Sequence, residues 1–145
     1  MGMAGPVPFS SRSNKRDPIS VLVVEDDPVL GLTIEDALTH DNFARVSICS
    51  SAECSLARLR SEKFDAVVLD VHLADSDDGW EIAELIDALG SEDVRIVFQT
   101  GAPGDIPDHI RELGPVLAKP YDPEDLRAAL KPKSRRRLLP GLRKR

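Results

Sequence analysis

The feature that most constrains the fold of this chain is the segment 65–70, in which four apolar residues lie between two aspartates. The run Ala-Val-Val-Leu is too short for a helix, and an unbroken apolar run is typical of a strand buried on both faces. A polar, flexible stretch follows at 74–79. The sequence therefore predicts a central parallel strand with the carboxylate of Asp70 at its carboxyl end, where open α/β sheets place their ligands.

The rest of the domain alternates strand patterns with helix patterns. Apolar, largely β-branched runs predict strands. Apolar residues at helical spacing that follow a Pro or Ser predict helices. We expect strands at 19–24, 43–48, 94–99 and 116–118, and helices at 28–40, after Ser50 or Ser51, and at 80–90, 107–112 and 123–130. Five such β-α units predict the α/β class, specifically a flavodoxin-like (βα)5 three-layer sandwich whose parallel five-stranded sheet has the order 2-1-3-4-5.

Composition and charge divide the chain into three parts. Residues 1–18 are interpreted as a flexible leader, 19–130 as the domain, and 131–145 as a basic tail expected to be disordered. The net charge of -6 conceals an asymmetry, since residues 1–130 carry -14 and residues 131–145 carry +8. A length of 145 residues suits one domain with a hydrophobic core, and no apolar run approaches the ~20 residues of a membrane span.

The two cysteines, Cys49 and Cys54, lie five residues apart with no His or Cys at metal-binding spacing nearby. This pattern predicts neither a zinc site nor a disulfide framework, and it makes a reducing cytoplasm the default location.

Polar residues with compatible chemistry follow four of the predicted strands. Glu25 and Asp26 follow the first strand, Asp70 the third, Thr100 the fourth and Lys119 the fifth. In the order 2-1-3-4-5 these strand ends converge, and clustered carboxylates raise one another's pKa unless a cation neutralises them. A hard divalent ion with oxygen ligands, Mg²⁺ or Mn²⁺, satisfies that need. A phosphoryl group on Asp70 would then be neutralised by the metal and Lys119, with the Thr100 hydroxyl binding its oxygens.

Four segments together resemble the receiver domain of two-component response regulators, over about residues 19–130. They are Val23-Val24-Glu25-Asp26-Asp27-Pro28, Val68-Leu69-Asp70, Phe98-Gln99-Thr100-Gly101 and Lys119-Pro120-Tyr121. Their joint occurrence in this order makes the resemblance specific.

The resemblance implies a role for each site residue. Asp70 would be the phosphoacceptor, Asp26 a direct metal ligand, and Glu25 a ligand acting mostly through water. The backbone carbonyl of His72 would be a further metal ligand. The phosphoryl group would be bound by Thr100 and Lys119 and by the backbone amides of His72 and Gly101.

This sequence departs from the usual receiver pattern at several positions. The loop after Asp70 has Leu73-Ala74 where Leu-Pro is usual, and Gly79 comes one residue late. Val116 stands where many receivers carry a switching Tyr or Phe, so the switch region is expected to be Thr100, Gly101 and Val116 without an aromatic ring. A subgroup of single-domain receivers with a Phe-Ala-Thr-Gly signature also lacks that aromatic, although Gln99 breaks the signature here.

Three other function classes were weighed. An aspartyl-nucleophile phosphatase of the dehalogenase type also starts from an Asp at a strand end, but it needs a second acid two residues later, where this chain has His72. A flavin-binding flavodoxin needs a Ser/Thr/Gly-rich phosphate-binding loop after the first strand. Here Glu25, Asp26 and Asp27 follow that strand, and their charges would repel a phosphate group. The basic tail could bind nucleic acid or an acidic partner, yet it has no aromatic residue and two prolines, so nucleic acid is not the expected ligand.

We therefore expect a stand-alone, cytoplasmic receiver, a monomer or weak dimer, that takes a phosphoryl group from a histidine kinase or histidine phosphotransfer protein. It would act through partner binding or as a phosphorelay shuttle or sink, and it would be no enzyme beyond its own phosphorylation and dephosphorylation. The segment 101–112 has little helical propensity and few apolar anchors, so we expect it to be mobile and to become ordered when Thr100 and the Gly101 amide engage the phosphoryl group.

Overall fold

The computed structural model describes residues 17–71, 80–88 and 93–131. Within these ranges the chain forms a parallel sheet of order β2-β1-β3-β4-β5, which confirms the predicted architecture. The strands are β1 (Ile19–Val24), β2 (Ala44–Cys49), β3 (Ala66–Asp70), β4 (Arg95–Thr100) and β5 (Val116–Ala118). β2 and β4 each begin and end one residue later than predicted.

The helices that connect the strands are α1 (Pro28–Thr39), α2 (Ala52–Ser61), α3 (Trp80–Ala88), α4 (Asp108–Arg111) and α5 (Pro123–Leu130). α1 begins behind Asp27, whose side chain accepts hydrogen bonds from the amides of Val29 and Leu30. α2 is capped by Ser51, whose Oγ accepts from the amide of Cys54, so the capping residue is Ser51 and not Ser50. Short 3-10 turns lie at His40–Asn42 and Pro103–Asp105.

Apolar side chains cover both faces of the sheet. One cluster joins Leu22, Leu69 and Phe98 to side chains of α3 and α4. The other joins Val23, Val68 and Val97 to side chains of α1 and α5. Every residue of β3 is buried, as expected for the central strand of a three-layer sandwich.

Gly114, in the turn between α4 and β5, passes close to the backbone of β4. A Cβ atom at this position would lie 1.9 Å from the carbonyl oxygen of Ile96. A larger residue would therefore displace one of the two chain segments, and the glycine allows β5 to pair with β4.

The structure corrects the prediction for the cysteines, because Cys49 and Cys54 are joined by a disulfide. Cys49 is the last residue of β2 and Cys54 lies in the first turn of α2, so their Cα atoms are 5.7 Å apart, which is within disulfide range. The short β2–α2 turn creates this proximity, and residue spacing alone does not reveal it.

Several predictions fall outside the described residues. These are the leader up to residue 16, the loop 72–79 with His72, the helix end at Gly90, and the tail from residue 132. In the described parts of the chain, no helix is both long and apolar enough to span a membrane.

Candidate functional site

Asp70 ends β3 at the carboxyl edge of the sheet, and only 4% of the residue is exposed. β3 lies between β1 and β4, with Leu69 opposite Val24 and Asp70 opposite Gln99. The register therefore places the carboxylate of Asp70 between the residues that follow β1 and the last residues of β4. The convergence of strand ends expected from the sequence is present in the structure.

Glu25, Asp26 and Asp70 form an acidic cluster at this edge. One carboxylate oxygen from each residue lies within 4.8 Å of the other two. Glu25 and Asp70 are buried and Asp26 is partly exposed, so the cluster has one side open to solvent. This set of oxygen donors fits a hard divalent cation such as Mg²⁺. The carbonyl of His72, predicted as a further ligand, lies outside the described residues.

The ionisation of Glu25 reflects this environment. Burial of the side chain and the charge of Asp70 raise the pKa of Glu25 to about 7, against a smaller opposing effect of the Asp27 amide and Lys119. Because the carboxylate is only 2% exposed, desolvation is the larger cause. A cation at the cluster would oppose both effects and favour the ionised form.

Lys119 follows β5, and its side chain reaches the cluster. Its Nζ lies 3.2 Å from Oδ2 of Asp70 and 3.3 Å from Oε1 of Glu25. The peptide bond between Lys119 and Pro120 is cis. A single ammonium group is thus shared between two buried carboxylates. It is close enough to Asp70 to bind an anionic group attached to that residue.

Thr100, the last residue of β4, is buried, and its hydroxyl accepts a hydrogen bond from the amide of Ala102 at 2.9 Å. Gly101 follows at the surface, where a Cβ atom would meet nothing within 4 Å. In this bond the Thr100 oxygen is the acceptor, so the hydroxyl proton remains available to donate, and a rotation of the side chain toward Asp70 would break the bond from Ala102.

Val116, the third predicted switch residue, begins β5 and pairs with Phe98. It is half-buried and packs against the core cluster that contains Phe98 and Ile106. Its side chain therefore contributes packing next to the Thr100 strand rather than a rotating ring.

Two residues of the site were not predicted as site residues, Gln99 and Tyr121. Nε2 of Gln99 donates a hydrogen bond to Oε1 of Glu25 at 3.0 Å, and Oε1 of Gln99 accepts one from the Tyr121 hydroxyl at 2.6 Å. Burial and the charges of Glu25 and Asp70 raise the pKa of Tyr121 to about 12, so the phenol keeps its proton. A usable signal existed, since Gln99 interrupts the apolar run Ile96-Val97-Phe98 at a position where a buried strand should continue.

Comparison with known proteins finds a matching family model and several similar proteins. The family model described as "Response regulator receiver domain" matches residues 21–131. The two-component response regulator ARR2 of Arabidopsis thaliana is 41% identical over 68 residues, which cover 46% of this chain and 10% of that protein. The transcriptional activator protein IrlR of Burkholderia pseudomallei is 31% identical over 106 residues, which cover 70% of this chain and 44% of that protein. The chain thus spans less than half the length of either relative.

Among solved structures, the solution structure of SdrG from Sphingomonas melonis Fr1 is similar with a TM-score of 0.66 and 30% identity. The match covers 80% of this chain and 96% of that one. The similarity therefore extends over nearly the whole of that structure.

Proposed function

Because the chain belongs to the receiver domain family of response regulators, we propose that Asp70 accepts a phosphoryl group from a phosphohistidine of a histidine kinase or histidine phosphotransfer protein. In this step an oxygen of the Asp70 carboxylate forms the new bond to phosphorus as the bond between phosphorus and the donor's imidazole nitrogen breaks. The imidazole leaves with the electron pair of that bond and takes up a proton.

One observation supports the proposal above all others, namely the placement of Lys119. Its Nζ lies 3.2 Å from Oδ2 of Asp70, in a site where Asp70 is almost fully buried. An ammonium group at this position offsets the negative charge that accumulates on the transferring oxygens. Thr100 and the Gly101 amide, at the end of the neighbouring strand, supply hydrogen-bond donors for the same oxygens once Thr100 releases Ala102.

The acidic cluster supports a divalent cation as cofactor, with Asp26, Asp70 and Glu25 as the residues that would hold Mg²⁺ or Mn²⁺. The ion would supply positive charge that allows an anionic donor to approach three carboxylates. Asp26 is the most exposed of the three and lies on the solvent side of the cluster, whereas Glu25 is buried on its inner side.

The output of the phosphorylated protein would be altered binding to a protein partner, or the onward transfer of the phosphoryl group as a phosphorelay shuttle or sink. We propose that the protein has no catalytic activity beyond its own phosphorylation and dephosphorylation and that it is a monomer or weak dimer. We also propose a cytoplasmic location, which rests on the phosphohistidine donor and no longer on the cysteines, since Cys49 and Cys54 form a disulfide. Nucleic acid is not among the proposed ligands.

The direct test is phosphorylation of the full chain by acetyl phosphate, with and without Mg²⁺, measured by intact-protein mass spectrometry. We expect a single added phosphoryl group that depends on Mg²⁺, and no addition in Asp70→Asn. The matched control is Asp65→Asn, because Asp65 immediately precedes the same strand, at the edge of the sheet opposite to Asp70, and among the contacts described its carboxylate accepts one hydrogen bond, from the backbone amide of Ser20 on β1.

Two results would contradict the proposal. Normal labelling of Asp70→Asn would show that another residue is the acceptor. Repeated turnover of a small phosphate ester, with Asp70 phosphorylated only transiently, would indicate the phosphatase alternative.

A further inference from the structure

Gln99 is a buried polar side chain that the proposed phosphoryl transfer leaves without a role. It lies in β4 between Phe98 and Thr100 and is 0% exposed. Burying an amide in an apolar strand costs free energy unless its donor and acceptor are both used. Because both are used here, by Glu25 and Tyr121, the cost is offset only while these two partners are in place.

The chemistry of the partners fixes which way the amide points. With Mg²⁺ at the cluster Glu25 would be ionised and could only accept, so the Gln99 group that faces it is the donor Nε2. The carbonyl oxygen then faces Tyr121, whose protonated hydroxyl donates to it at 2.6 Å. A reversed amide would set its carbonyl oxygen against the Glu25 carboxylate, so the Tyr121 hydroxyl favours the orientation that is observed.

Glu25 is in turn held at both carboxylate oxygens. Oε1 accepts from Gln99 and from Lys119, and Oε2 accepts from the amide of Asp27 at 3.1 Å. Lys119 is shared with Asp70 and would be drawn toward a phosphoryl group there. Gln99 is the neutral donor on Oε1, and its amide carries no charge that a phosphoryl group on Asp70 would attract.

We propose that Tyr121 and Gln99 are positioning residues for the metal site, Tyr121 by orienting the Gln99 amide and Gln99 by holding the Glu25 carboxylate toward the acidic cluster. The inference rests on the proposed function, in which that cluster holds Mg²⁺. This relay of two hydrogen bonds, from Tyr121 through Gln99 to Glu25, links the connection between β5 and α5 to the metal site.

The relay is tested by titrating Mg²⁺ alone into the full chain by isothermal titration calorimetry, for the wild type, Gln99→Met, Tyr121→Phe and the double variant. Methionine keeps the length of the side chain without the amide. We expect about a tenfold or larger loss of Mg²⁺ affinity in Gln99→Met, since partners that orient metal ligands commonly have effects of this size. Tyr121→Phe removes only the hydroxyl and should weaken affinity about two- to tenfold.

The double variant is the decisive member of the set. If Tyr121 acts through Gln99, removing its hydroxyl has no further effect once the amide is gone, and the double variant matches Gln99→Met. Independent, additive losses would overturn the relay, and so would unchanged affinity in Gln99→Met or in Tyr121→Phe.

Leu117→Ala is the matched structural control. Leu117 lies opposite Gln99 on β5 and packs in the same core cluster as Tyr121, but it makes no side-chain hydrogen bond. This variant should lower the melting temperature and leave Mg²⁺ affinity within about twofold of the wild type, because it disturbs packing and no metal-orienting contact. An affinity loss equal to that of Gln99→Met would reduce the role of Gln99 to packing and overturn the proposal.

A spectroscopic signature completes the test, through the side-chain amide protons of Gln99 in ¹H–¹⁵N NMR spectra. We expect these protons to be protected from exchange, to shift in Tyr121→Phe, and to shift on addition of Mg²⁺ to the wild type. Insensitivity to both changes would overturn the relay. A wild type that binds no Mg²⁺ would overturn the proposed function and the relay together, whereas normal binding by the wild type and Gln99→Met alike would overturn the relay alone.

Discussion

The residue with the most unusual electrostatic position is Glu25. It is buried beside Asp70, and the two carboxylates share the ammonium group of Lys119. Burial, reinforced by the charge of Asp70, raises the pKa of Glu25 to about 7, so near neutral pH the metal-free protein holds a mixture of protonated and ionised Glu25. A cation at the cluster would favour ionised Glu25 and offset the repulsion between its carboxylate and that of Asp70.

The raised pKa of Glu25, caused first by burial and then by the charge of Asp70, predicts a pH dependence of stability in the absence of metal. Between the ordinary pKa of 4.5 and the raised value of about 7, the folded protein keeps a proton on Glu25 that the unfolded chain has lost. The unfolded state then binds fewer protons, so the free energy of unfolding falls as pH rises through this window, by at most about 3 kcal/mol. Urea unfolding in EDTA at pH 5, 6, 7 and 8 measures it.

The control is Glu25→Gln, which keeps the shape of the side chain and removes its titration. The variant should be more stable than the wild type at pH 8, and the difference should shrink toward pH 5. A difference that stays constant over this range would show that the raised pKa of Glu25 does not govern the pH dependence.

At the scale of elements, the segment 101–112 is the part of the domain that we expect to switch. α4 has only four residues, and Pro103, Gly104 and Pro107 limit helix formation around it. The expectation of few apolar anchors needs correction, because Ile106 and Ile110 are both buried in the core cluster next to Phe98. Two anchors in twelve residues leave the exposed turn at Pro103–Asp105 as the portion with least packing.

We predict that a beryllofluoride mimic of the phosphoryl group slows hydrogen exchange in residues 101–112. When Thr100 turns toward the added group, its hydroxyl leaves the Ala102 amide, and the following backbone has to settle in a new arrangement. Exchange of the amides is followed by mass spectrometry and NMR with and without beryllofluoride and Mg²⁺. Equal protection in the two states would exclude the order-disorder mechanism.

Thr100→Val serves as the matched control for this experiment. Valine fills the buried position without the hydroxyl, so the mimic should still bind while the change in residues 101–112 is lost or reduced. If the variant responds as fully as the wild type, the signal does not pass through Thr100.

At the scale of the whole molecule, the described core is complete by the end of α5. Leu126 and Leu130 are buried against β1, β3 and β4 in the cluster on the α1 side. Arg95 at the start of β4 donates hydrogen bonds to the carbonyl oxygens of Leu130 and Lys131, at 2.9 and 3.0 Å. The sheet thus fixes the chain as far as Lys131.

Deletion of residues 132–145 should therefore leave the stability of the domain almost unchanged. We expect the melting temperature, measured by calorimetry, to shift by less than about 3 °C. Leu130→Ala is the contrasting variant, because it empties a fully buried position and should cost about 2 kcal/mol or more. A large drop in melting temperature on deletion would indicate that the basic tail docks on the domain.

Much of this molecule follows from the sequence by itself. Apolar runs such as those of β1 and β3 are too short for helices and are typical of buried parallel strands. Their alternation with helix patterns restricts the topology to few choices. Because parallel strands all end at the same edge of the sheet, strand order alone predicts that the residues after these strands converge. They are Glu25, Asp26, Asp70, Thr100 and Lys119. Local chemistry also located the start of α1 at Pro28 and restricted the capping residue of α2 to Ser50 or Ser51.

Other features were decided only by the tertiary structure, because they depend on distances between side chains far apart in the chain. The Gln99 amide reaches a carboxylate 74 residues away, and the Tyr121 hydroxyl reaches Gln99 on the neighbouring strand, 22 residues away, so neither bond has a local signature. The disulfide between Cys49 and Cys54 depends on the angle at which α2 leaves β2. Periodicity and strand order specify which edge a residue occupies, whereas the twist and packing of the sheet determine which atoms meet there.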